Sequence, residues 1–124
     1  MIKGIGVDTI ELERIARVYD EYGARFLNRI YAPAEQEYAL RYKDPVPRLA
    51  ARFAAKEACM KALGTGWSNG VRWRDIVVVN APSGKPELKL LGKAQEFAEL
   101  QSVAHIHVSI THSKEHAMVI VIFE

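Results

Sequence analysis

Up to Leu63 the apolar positions recur mostly at helical spacing; after Gly64 they mostly alternate. Residues 2–7, IKGIGV, alternate apolar and small positions and predict a short buried strand ending at Asp8. Asp8 and Thr9 can cap a following helix, and Glu11 and Glu13 suit its positive N-terminal end. Ile10, Ile15, Val18 and Tyr22, with Arg14 and Arg17 between them, make that helix amphipathic to about Tyr22, where Gly23 stops it. Phe26 to Tyr31 is apolar and basic and follows neither period. Pro33 opens a short helix running to about Tyr42, and Asp44-Pro45-Val46-Pro47 breaks it. From Pro47 to Leu63 the helical period is unbroken. Ala50, Ala54, Ala58 and Ala62 recur every fourth residue beside Ala51, Ala55 and Cys59, so two small-residue ridges let another backbone pack closely.

Past Gly64 the spacing predicts a strand over Ile76–Asn80, a turn at Pro82-Ser83-Gly84-Lys85 and a returning strand over Pro86–Leu90. A short helix is expected over Lys93–Leu100 and a strictly alternating strand over Ala104–Thr111. Ser113-Lys114-Glu115 connects it to Ala117–Phe123, a continuous apolar run that reads as a strand covered on both faces. The expected fold class is α+β: an antiparallel or mixed sheet packed on one long and several short helices.

Composition narrows this picture. At 124 residues the chain is close to the commonest domain size, so a single domain over residues 1–124 is expected. A deep cavity is hard to enclose at this size, and a site shared between subunits would solve that. The net charge is +2, with 11 basic and 9 acidic residues over 1–62 and 6 of each over 63–124. That surplus is too small for general nucleic-acid binding, but a local basic stripe could meet an acidic partner. No apolar run reaches a membrane span, and Asp8, Glu11 and Glu13 interrupt the N-terminus as no signal peptide would allow. Cys59 is the only cysteine, which suits a reducing, cytoplasmic setting and a small packing residue.

Three constellations could carry chemistry. Asp8 at the end of a buried strand is either a metal ligand or a helix cap. Glu57 and Lys61, four apart, share one helix face, with Arg52 before them and Phe53 and Met60 nearby. On a solvated face such a pair is a salt bridge worth about 0.2–0.5 kcal/mol. Among Ala, Phe, Met and Leu, however, charges tend to be paired or functional. A carboxylate there can hold a metal and the ammonium a phosphate, and Gly64-Thr65-Gly66 lets a ligand approach the backbone. Third, Ser109-Ile110-Thr111-His112-Ser113 offers hydroxyls and an imidazole to an anion. His105 and His107, at alternate strand positions with His112 or His116, are a competing zinc pattern. P-loop, GxGxxG, GxSxG and CxxC motifs are absent.

Taken in order, GIGVDTIELERI, ARFAAKEACMKALGTG, the Ser83-Gly84-Lys85-Pro86 turn and VSITHSKEHAMVIVI resemble the small bacterial phosphopantetheinyl transferases of the holo-acyl-carrier-protein synthase family along the whole chain. Thr111 stands where the family often has Ser. The resemblance implies the phosphopantetheinyl transferase fold, a homotrimer with sites between subunits, and magnesium-dependent transfer of 4'-phosphopantetheine from coenzyme A to a serine of acyl carrier protein in fatty acid biosynthesis. Adenosine 3',5'-bisphosphate is the other product. Asp8 and Glu57 are then the magnesium ligands and, with Lys61, the catalytic set. Lys61, Arg52, Gly64, Thr65, Gly66, Pro86, Thr111 and His112 line the coenzyme site. Arg14 and Arg17 are the candidates for docking the acidic carrier protein; Arg25 and Arg29 read rather as solvated. The readings from other classes are a non-catalytic nucleotide-binding or subunit-interaction module, and a zinc enzyme on His105 and His107.

Overall fold

A computed structural model describes residues 1–66 and 69–124. The elements run β1 (Gly4–Glu11), α1 (Leu12–Tyr22), α2 (Ala24–Ile30), α3 (Pro33–Leu40), α4 (Val46–Leu63), a 3-10 turn (Trp73–Asp75), β2 (Ile76–Asn80), β3 (Pro86–Leu90), α5 (Gly92–Leu100), β4 (Ile106–His112) and β5 (His116–Phe123). One sheet has the order β1-β5-β4 and β2 pairs with β3. Each of these pairings is antiparallel, which decides between the antiparallel and mixed sheets expected.

The long helix α4 lies against the three-stranded sheet, and two glycines set the distance. A Cβ on Gly4 would stand 2.3 Å from the Ala62 carbonyl oxygen, and one on Gly6 would stand 1.9 Å from that of Ala58. The small-residue ridge on the helix therefore meets a strand with no side chain at the contact, so backbone touches backbone. Ala54, Ala58, Val119, Val121 and Phe123 are wholly buried in the layer between them.

Three expectations change. Asp8 does not cap a helix: β1 continues through it, with Gly4 opposite Phe123 and Glu11 opposite His116 on β5. Its inward positions Gly6, Asp8 and Ile10 keep the strand's alternation, and the ladder with β5 satisfies the backbone that a cap would serve. Helix α1 starts only at Leu12, without a side-chain cap. The unassigned stretch is a helix, α2, which buries Phe26, Leu27 and Ile30 on one side. Finally, β5 is covered on one face only. Ala117, Val119, Val121 and Phe123 are buried, while Met118 is 49% and Ile120 36% exposed. Ile5 and Val7 on β1 stand on that same open face, opposite Ile122 and Ile120.

A buried ion pair fixes α3 to α4. Lys56 and Glu35 are fully buried, with Nζ 2.7 Å from Oε1. Lys56 also donates to the backbone carbonyls of Trp73 and Ile76. The Glu35 carboxylate accepts from the Ala32 amide at 2.9 Å and the Val78 amide at 3.0 Å. Each charge thus has the hydrogen bonds its burial requires. Burial lowers the Lys56 ammonium from its ordinary value, and Glu35 opposes that shift.

Candidate active site

Because β1 passes so close to α4, a residue near the start of the chain meets residues from its middle. Asp8 on β1 and Glu57 and Lys61 on α4 form one cluster. Lys61 does not close a pair along its own helix. It reaches to β1, where Nζ stands 3.1 Å from Asp8 Oδ1 and donates to the Val7 carbonyl at 3.0 Å. Glu57 is half-buried. Burial raises its carboxyl above the ordinary value, the nearby Asp8 raises it further, and Lys61 and Arg14 oppose them. Two carboxylates held within mutual repulsion suit a bound cation. Oxygen donors in this number suit magnesium, which keeps most of its waters. Zinc needs three or four protein ligands. No three His, Cys, Asp or Glu side chains converge among the described residues. His107 bonds instead to Glu124 at 3.0 Å, with the His105 ring centroid 6.5 Å away.

Arg52 does not join that cluster. It lies five residues before Glu57, about 140° around the helix. It is 4% exposed and lines a separate cleft of about 230 Å³ with Tyr38, Arg48, Asn80, Pro86 and His112. Arg52, Pro86 and His112 are therefore brought together as expected, on another side of α4 from the carboxylates. Burial lowers the Arg52 guanidinium from its ordinary value. Thr111 is not in the cleft. It sits opposite Met118 on the open sheet face, because successive strand residues point to opposite sides. Gly64 ends α4 in the left-handed conformation (φ 79°), and Gly66 follows at φ 57°. Among the described residues, nothing stands within 4 Å of where their Cβ atoms would be. Thr65 is buried and its hydroxyl donates to the Gly66 carbonyl at 2.9 Å.

Sequence reasoning did not single out Tyr38, Arg48 and Asn80. The signal for two of them was present as spacing. Arg48, Arg52 and Lys56 form an i, i+4, i+8 stripe facing Tyr42, Tyr38 and Glu35 across α3 and the turn after it. On α1, Arg14 and Arg17 are exposed. Next to them a hollow of about 640 Å³ is lined by Val18, Tyr22, Arg25, Phe26, Asn28 and Arg29. Arg25 and Arg29 line its wall and are exposed, as solvated surface residues would be.

The model of the 4'-phosphopantetheinyl transferase superfamily matches residues 4–121. The chain belongs to this superfamily. Among its superfamily relatives, the holo-[acyl-carrier-protein] synthase of Solibacter usitatus is 51% identical over the whole chain and 99% of the relative's length. That of Trichlorobacter lovleyi is 50% identical over the whole chain and 98% of its own. The crystal structure of the Neisseria meningitidis holo-[acyl-carrier-protein] synthase superimposes with a TM-score of 0.90 at 37% identity, covering 100% of this chain and 99% of that one. A Bacillus anthracis holo-(acyl-carrier-protein) synthase in complex with CoA (3',5'-ADP) superimposes at 0.83, with 39% identity and 99% and 96% coverage. The phosphopantetheinyl transferase fold expected from the motifs is the fold found.

Proposed function

We propose that this chain transfers 4'-phosphopantetheine from coenzyme A to a serine hydroxyl of apo acyl carrier protein, in the supply of carrier for fatty acid biosynthesis. The convergence of Asp8 on β1 with Glu57 and Lys61 on α4, about fifty residues later, carries the reading. The serine oxygen forms a bond to the phosphorus that carries pantetheine. The bond from that phosphorus to the bridging oxygen breaks, and adenosine 3',5'-bisphosphate leaves with the electron pair. Asp8 and Glu57 are the residues that would hold magnesium. Bound there, it would neutralise charge on the pyrophosphate. Lys61, anchored on Asp8 and the Val7 carbonyl, points its remaining donor capacity at the same phosphates and offsets charge on the leaving group. The serine proton passes through a water ordered by the Glu57 carboxylate to that carboxylate. The cleft of Arg52, Pro86 and His112 takes the anionic nucleotide end of coenzyme A, and the open positions beside Gly64 and Gly66 leave room for it to pass the end of α4.

Assembly as a homotrimer follows from the same reading. The open sheet face gathers the exposed apolar side chains of Ile5, Val7, Met118 and Ile120, and Thr111 lies within it. Burying that face against other copies would let one subunit complete the site of the next. Arg14, within electrostatic reach of Glu57, and Arg17, one turn further along α1 beside the α1–α2 groove, dock the acidic carrier protein near the reacting phosphate. No described helix is long and apolar enough to cross a membrane, and the single cysteine is buried, which supports a cytoplasmic enzyme. Incubation of apo acyl carrier protein with coenzyme A and magnesium, followed by intact mass, tests the reaction. A carrier that gains no phosphopantetheine overturns it.

A further inference from the structure

Arg48, Arg52 and Lys56 become steadily more buried along α4, and each has a different partner across the interface. Arg48 lies 3.3 Å from the Tyr42 ring centroid and Arg52 lies 4.1 Å from that of Tyr38, while Lys56 meets a carboxylate. Arg52 is the buried member whose charge is not cancelled. Its Nη2 donates to Asn80 Oδ1 at 2.7 Å, and its Nε is buried without a hydrogen-bond partner. Asn80 closes β2 and donates through Nδ2 to the Gly84 carbonyl at 3.1 Å, across the β2–β3 turn. This network has one solution. A guanidinium only donates and the Gly84 carbonyl only accepts, so the amide must present its oxygen to Arg52 and its nitrogen to Gly84.

We propose that Asn80 is the positioning residue of the anion cleft. It holds Arg52 against Tyr38 and ties that guanidinium to the turn leading to Pro86, so that coenzyme A meets a cation already oriented and still fully charged. The inference rests on the transferase reading for the identity of the anion. The choice of an amide follows from chemistry. A neutral carbonyl oxygen orients a guanidinium and leaves its charge available, whereas a carboxylate would orient it and neutralise it. The carboxylate would also face the Gly84 carbonyl with no donor.

A double-mutant cycle tests this with wild type, Asn80→Ala, Arg52→Met and the double variant, all checked for folding by circular dichroism and melting. The readouts are KM and kcat for coenzyme A and direct calorimetric affinity for coenzyme A. Asn80→Ala is expected to raise KM about tenfold and leave kcat within about twofold, the loss of one hydrogen bond to a charged group. In the Arg52→Met background it should add nothing. If Arg52→Met does not fold, Arg52→Lys serves, since an ammonium lacks the fork that Asn80 holds. Asn80→Asp should weaken coenzyme A at least as much as Asn80→Ala. Independent, multiplying effects, a kcat loss at unchanged KM, or a fully competent Asn80→Asp variant would each overturn the positioning role. Failure of the wild type to bind coenzyme A would instead sink the transferase reading, so the two failures are distinguishable.

Discussion

Gly6→Ala is the substitution whose outcome the packing specifies most closely. Its Cβ would stand 1.9 Å from the Ala58 carbonyl oxygen, where ordinary contact begins at 3.4 Å, so strand and helix must part by about 1.5 Å. The obstacle is backbone on both sides, and no rotamer change relieves it. The Ala58 carbon at 2.9 Å and the Ala62 nitrogen at 2.9 Å close the other escape routes. Overpacking of this kind costs about 1–3 kcal/mol, with the upper end expected for a clash against main chain. For a chain of this length that lowers Tm by roughly 5–15 °C. The separation also acts on the site, because Asp8 lies two residues after Gly6 and Glu57 one before Ala58. Misplacement of reacting groups by about 1 Å can cost on the order of a hundredfold in rate. We therefore expect Gly6→Ala to fold, melt lower and lose kcat by about that factor, while affinity for the adenosine 3',5'-bisphosphate end, set by the Arg52 cleft, falls much less. Differential scanning fluorimetry and an intact-mass transfer assay read both effects. A variant with wild-type Tm and wild-type kcat would refute the close-contact argument.

Further outcomes follow from the site and the core. In metal-free protein, burial and Asp8 hold the Glu57 carboxyl above its ordinary 4.5, so ionised Glu57 opposes folding. That cost is absent where both states are protonated and grows as pH rises through the raised value. Glu57→Gln should transfer no phosphopantetheine yet melt above wild type at neutral pH, an advantage that fades toward about pH 4; a lower neutral-pH Tm would contradict this. Arg14→Glu should raise KM for acyl carrier protein about tenfold or more with little change for coenzyme A, and equal effects on both would remove the docking role. Lys56→Met leaves Glu35 charged and buried, a loss of about 3–5 kcal/mol that should appear as a Tm drop of roughly 10 °C or more. Glu35→Gln combined with Lys56→Met should recover part of it; a double variant as unstable as the single one would show that the pair is not the cause.

The sequence was most legible where one local rule decided the structure. Helix α4, the β2–β3 hairpin and α5 follow from periodicity and turn residues. Asp8 was ambiguous because an Asp-Thr pair is chemically as good a cap as a strand end, and only pairing with β5 chooses between them. Helix α2 was hidden because its apolar face is carried by Phe26, Leu27 and Ile30 within seven residues, too few for a period to show. The one-sided burial of β5 depends on where α4 lies, which an apolar run does not encode. In the site, the spacing of Glu57 and Lys61 pointed to shared chemistry, but Lys61 chose Asp8, 53 residues away. Lys56, inside a ridge of alanines, gave no local sign of its partner, since Glu35 reaches it only through the packing of α3.

Helix α4 carries the carboxylate cluster on one side and, on another, the stripe that serves both the anion cleft and the buried pair, all on one rod pressed against glycine. Such a rod cannot be retuned piecemeal, because a shift that improves one side displaces the other. Adaptation to a different carrier or donor is thus channelled to the peripheral pieces: α1, Tyr38 and Tyr42, and the β2–β3 turn. A deep mutational scan should accordingly find substitutions that change preference on those segments, while β1 and α4 yield mostly losses.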